Sequence, residues 1–175
     1  MSPKALQSTV QRHESEFAEI RRLLQTASET IGDLGNKWGS YTEGLAAPSV
    51  RRVLEEEFGA DTVVENYSIT KKGEAQEFDL VGIANGRRNE VVLAEIKSRL
   101  PESELKKFEK KFADFFRFMP EHRGKTLKGL LVAVSMPKGM RERVASRGFY
   151  LMRGSDETFA LVPAGKGFKP RTLKG

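Results

Sequence analysis

Residues 76–98 read QEFDLVGIANGRRNEVVLAEIKS. Two runs rich in Val, Ile and Leu, Gln76 to Ala84 and Glu90 to Ser98, flank an Asn85-Gly86 turn signal. A third run, Thr62 to Thr70, precedes them across Lys72-Gly73, so the three are expected to form an antiparallel meander. Side chains alternate along a strand, which puts Asp79 on one face with Val81 and Ile83, and Glu95 and Lys97 on one face with Val91 and Leu93. Two carboxylates and an ammonium are thus expected to meet beside an apolar face.

The flanking sequence extends this core. From Glu102 to Met119 the residues Leu105, Phe108, Phe112, Phe115, Phe116 and Met119 fall along one side of a helix that starts after Pro101. The other side carries Lys106, Lys107, Lys110 and Lys111. The run Gly129 to Val134 is continuously apolar, as in a strand covered on both faces, and the helix before it predicts parallel pairing through a right-handed crossover. The sheet should therefore be mixed. Ser135 and Pro137 read as the N-cap and an early residue of a short helix that ends near Gly148, ahead of an edge strand from Phe149 to Met152 and a weaker strand from Thr158 to Val162. Upstream, Leu45, Val50, Val53, Leu54 and Phe58 recur at helical spacing, with Gly59 as a stop and Pro48 as a kink or the start of a second segment. The fold class is α/β, a mixed central sheet flanked by helices.

The first 36 residues contain no strand-like run. Val10, Phe17, Leu24 and Ile31 fall seven apart, with Leu6, Ile20, Ala27 and Leu34 in the intervening core register and His13 in the slot between. That spacing keeps one narrow apolar seam facing a partner, so a coiled-coil arm and a homo-oligomer are expected. Gly32, Gly35 and Gly39 around Trp38 are expected to weaken the helix before the domain begins. This gives an arm at 1–36, a domain at 37–163 and a basic tail at 164–175. The tail holds Lys166, Lys169, Arg171 and Lys174 without an acidic residue, and reads either as a solvated end or as a phosphate-contacting arm.

Composition narrows the class. The 175 residues suffice for one buried core, and 30 basic against 24 acidic residues give a net charge of +6, a mild excess that fits a polyanionic partner. Cysteine is absent, which removes disulfides, thiolate zinc sites and cysteine nucleophiles. No apolar segment approaches the roughly 20 residues that span a bilayer, so a soluble, cytoplasmic protein without membrane contact is expected. Neither a Walker sequence nor a glycine-rich dinucleotide loop occurs, which argues against nucleotide binding.

The charged triplet has two readings on residues alone. Lys97 can form a salt bridge with either acid at the edge of the sheet, or the crowded carboxylates can require a divalent cation, because like charges repel and partial burial sharpens the repulsion. Phe78-Asp79, then a hairpin, then Glu95-Ile96-Lys97 resembles the paired motif of the PD-(D/E)XK nuclease superfamily, with Phe78 where that family commonly has proline. The likeness runs from about Trp38 to Met152 and implies a restriction-endonuclease-like core. It implies Mg (or Mn) held by Asp79, Glu95 and the backbone carbonyl of Ile96, with Lys97 orienting the attacking water or stabilising developing charge. It also implies an acid on the first helix; Glu43 fits by position, while Glu55, Glu56 and Glu57 compete. Lys106, Lys107, Lys110 and Lys111 would meet phosphates of a nucleic acid, DNA in the first instance. The competing function is a nuclease-derived module that binds nucleic acid or protein and keeps the acids only as remnants.

Overall fold

The computed structural model describes residues 3–155 and 158–175, with side chains described except at residues 3–12, 15 and 155. The chain divides into two compact units, Met1–Ser40 and Tyr41–Gly175.

Helix α1, Pro3–Glu56, continues through Gly32, Gly35 and Gly39 and contains Pro48 in its interior. The expected weakening around Trp38 does not end the helix. Each glycine costs roughly 1 kcal/mol relative to alanine, a penalty that does not by itself set a helix end, and these three keep negative φ. Gly59 is the first glycine to adopt the left-handed conformation, at φ 66°, and it stands just past the helix as expected. Pro48 opens no second segment: Ala46 and Val50, both fully buried, hold the turn on either side of it. In the first unit Phe17, Ile20, Leu24, Ile31 and Leu34 are exposed, from 50% at Ile20 to 71% at Ile31. His13 and Ala27 are exposed too. The side chains of Leu6 and Val10 lie outside the described residues.

In the second unit β1 (Thr62–Lys71), β2 (Glu74–Ala84) and β3 (Glu90–Arg99) form the antiparallel meander. Lys72 and Gly73, at φ 51° and 82°, make the first turn; Gly86 and Asn89, at φ 64° and 46°, shape the second. Helix α2 (Glu102–Phe118) then crosses over to β4 (Thr126–Ser135), which pairs parallel with β3. After α3 (Met140–Ser146), β5 (Tyr150–Ser155) pairs parallel with β4, and β6 (Thr158–Leu161) pairs antiparallel with β5. Among the described residues the sheet is mixed, in the order β1-β2-β3-β4-β5-β6. A long helix, a three-stranded meander, a crossover helix and a parallel strand make this the expected α/β arrangement around a mixed sheet.

Two apolar layers sandwich the sheet. On one face Ala46, Val50, Val53, Leu54 and Phe58 of α1 and the turn after it pack on Leu80, Val92, Ala94, Ile96, Leu130 and Val132. On the other, Phe108, Phe112, Phe115 and Phe116 of α2 pack with Val81, Leu93, Leu131 and Phe149. These four phenylalanines are core, as expected, and truncating any one would cost about 3–5 kcal/mol. The approach of α2 depends on Gly129 in β4: a Cβ there would lie 2.7 Å from Phe149 and 3.0 Å from Phe108.

Two local expectations change. Ser135 is still strand, its carbonyl accepting from the Leu100 N–H and its hydroxyl donating to the Ser98 carbonyl. The β3–β4 ladder thus extends past the expected cap, and α3 starts after Gly139, at φ 78°. Residues 164–175 fold back on the domain. In them β7 (Leu173–Lys174) pairs with the start of β4, and the Arg171 guanidinium bonds Glu109 of α2 while lying 5.7 Å from the Phe112 and Phe149 rings. The acid that balances Arg171 comes from 62 residues away, which composition of the tail alone did not show.

Candidate active site

The β2–β3 ladder ends at Leu80↔Ala94, so the next opposed residues, Asp79 and Glu95, stand where the strands part. On its other side β2 pairs with β1 through Glu65↔Leu80 and Tyr67↔Phe78, skipping Asp79 and Asn66, and Asn66 holds a left-handed φ of 50°. Asparagine tolerates that conformation better than most residues. Asp79 therefore lies outside both ladders, and its carboxylate replaces a strand partner by accepting the Ile96 N–H at 2.7 Å. The apolar sequence that makes β3 a central strand carries Glu95 inward with it, to 5% exposure.

Glu95 is held from two directions. Its Oε1 accepts from Lys97 at 2.8 Å, and its Oε2 accepts from Lys111 at 2.5 Å. Asp79, Glu95, Lys97 and Lys111 line one cleft of about 370 Å³ with Glu43, Asn66, Ser68, Glu77 and Phe78.

The electrostatics show an incompletely compensated acidic pair. Burial and the charge of Glu95 push the Asp79 carboxyl up to about 6, against the opposing pull of the Ile96 N–H, Lys97 and Lys111. Burial favours the neutral amine at Lys97, but the charge and hydrogen bond of Glu95, with Asp79 behind them, more than offset it and hold the ammonium above its ordinary range.

The sequence-predicted residues thus divide. Asp79, Glu95 and Lys97 meet in one cleft, with Ile96 tied to Asp79 through its backbone. Glu43 lines the same cleft, but among the described residues no group of three or more Asp, Glu, His or Cys stands close enough to hold a metal ion. Glu55, Glu56 and Glu57 are exposed and do not line it. Lys106, Lys107 and Lys110 are exposed on α2, and Lys107 pairs with Glu104. Lys111 departs from that solvent face and enters the site. Asn66, Ser68 and Glu77 were not singled out by sequence; the turn-prone asparagine inside β1 was the available signal for the first.

The donors are oxygen, which suits a hard divalent cation such as Mg. Added positive charge would offset the burial and the repulsion from Glu95 that together raise the Asp79 carboxyl. Two protein carboxylates leave most coordination positions to water, as magnesium prefers.

A family model described as a protein of unknown function, DUF3782, matches residues 2–74, a span that includes α1 and β1 and stops before Asp79. No curated protein matches the chain. Among solved structures the chain is similar to the EndoMS–dsDNA2 complex, at 12% identity and a TM-score of 0.40, over 63% of this chain and 45% of that one. It is also similar to a repair endonuclease from Pyrococcus abyssi, at 16% identity and a TM-score of 0.36, over 64% of this chain and 47% of that one. The chain thus spans less than half the length of either structure. Among the described residues no helix is long and apolar enough to cross a membrane.

Proposed function

We propose that this protein is a metal-dependent nuclease that hydrolyses phosphodiester bonds in nucleic acid, DNA being the first substrate to test. The observation that carries the reading is the meeting of Asp79, Glu95 and Lys97 in one cleft where β2 and β3 part, with the Asp79 carboxyl raised by burial and by its acidic neighbour. When bound, Mg or Mn would neutralise charge on the phosphoryl oxygens and supply an activated water. Asp79, Glu95 and the Ile96 carbonyl would hold the ion, and Glu43 would hold a metal-bound water or a second ion. Lys97, kept charged by Glu95, would orient the attacking water or stabilise charge developing on the phosphate. Lys106, Lys107 and Lys110 would take up flanking phosphates without reading sequence. In this proposal residues 1–36 pair two chains through the seven-residue seam, 37–163 carry the chemistry, and 164–175 supply basic charge.

A second reading, a catalytically silent module on the same fold, is favoured by Glu95, both of whose oxygens already hold lysines. Incubation with single-stranded, duplex and structured DNA and RNA, with Mg or Mn, separates the two. Cleavage that disappears in Asp79→Ala and Lys97→Ala supports the nuclease; no cleavage across that panel supports the module.

A further inference from the structure

Lys111 comes to Glu95 from α2, whereas Lys97 comes from two residues along the same strand. The helix that carries it is fixed by Phe108, Phe112 and Phe115 in the core, and that rotation turns residue 111 inward while 106, 107 and 110 stay exposed. Its side chain is 15% exposed, less than the 27% of Lys97, and the 2.5 Å contact takes the Glu95 oxygen that Lys97 leaves open. With both acids ionised, Asp79 and Glu95 face two ammonium groups, while Glu43 and Glu77 leave the cleft lining as a whole net acidic.

We propose that Lys111 occupies the place on Glu95 that a divalent cation needs, so that metal binding has to break this ion pair and move the ammonium away. The inference rests on the metal-dependent reading of the same cleft. A metal bound to a carboxylate oxygen sits about 2.0–2.1 Å from it, and an ammonium at 2.5 Å from that oxygen would crowd and repel it. Lys97 lies on the other oxygen and can stay. Lys111 has a flexible four-carbon stem and an open cleft of about 370 Å³ into which to swing. Lys111 is therefore an internal competitor that weakens metal affinity, and once displaced it faces the region where a phosphate would lie.

The test is a Mn²⁺ titration of the full chain, read by the paramagnetic resonance signal of the free ion. Lys111→Met should bind about tenfold more tightly than wild type, equivalent to about 1.4 kcal/mol, and Lys111→Arg should stay near wild type. Lys111→Gln, which keeps a neutral donor for Glu95, should shift the same way as Lys111→Met, so the result does not depend on one variant folding. Unchanged or weaker binding in both neutral variants overturns the proposal while leaving a metal site in place. Binding that survives undiminished in Glu95→Gln also overturns it, because the ion would then sit elsewhere. Absence of binding in wild type and in the Lys111 variants removes the metal-dependent reading itself.

Discussion

Replacing Asp79 with asparagine should stabilise the metal-free domain above about pH 6 and leave it nearly unchanged near pH 4. Asparagine keeps a carbonyl oxygen to accept the Ile96 N–H, so the hydrogen bond that substitutes for strand pairing survives and only the charge is lost. The Asp79 carboxyl is raised from 3.8 to about 6, first by burial and then by Glu95. A raised carboxyl means the folded state holds this proton more tightly than the unfolded chain does. The contribution of Asp79 to wild-type stability therefore falls as pH rises between those two values, and is flat on either side. At about 1.36 kcal/mol per unit the penalty has a ceiling of about 3 kcal/mol. Urea unfolding in a chelator, followed by far-UV circular dichroism at several pH values, measures the gap between variant and wild type. The gap should open from about pH 4 to about pH 6 and then hold. Parallel curves, or a variant less stable than wild type at pH 8, would refute the claim that Asp79 is held ionised against its surroundings.

Two further perturbations probe the frame around the site. Gly129→Ala should destabilise the domain by about 1–3 kcal/mol, the usual cost of overpacking, because its Cβ would enter the Phe149 ring; urea unfolding at neutral pH measures it, and a neutral effect would mean that the α2 layer gives way freely. For the arm, sedimentation at several concentrations should show association that is lost in Leu24→Asp or on removal of residues 1–36, and a chain that stays monomeric when concentrated would exclude the self-pairing seam.

The meander was legible because its signals are local. Lys72-Gly73 and Asn85-Gly86 announce turns in their own residues, and alternation along β3 alone puts Glu95 on one face with Lys97. The crossover helix was legible from its phenylalanine stripe. What that stripe could not show was its exact rotation against Phe149 and Gly129, and that rotation decides that Lys111 enters the cleft while Lys110 stays outside. The break at Asn66 was equally hidden, since it depends on how two neighbouring ladders fail at one residue. The arm glycines misled for a different reason: a composition that weakens an isolated helix does not fix where a helix ends. β7, two residues long, has too little pattern to be read at all.

The double occupancy of Glu95 bears on how the polypeptide matures. An enclosed carboxylate incurs a desolvation penalty unless a counter-charge meets it or a proton neutralises it. Here the final packing of a crossover helix brings that counter-charge within the same chain. Compensation of the Glu95 charge therefore needs no inorganic ion, and the chain is expected to fold in a chelated medium.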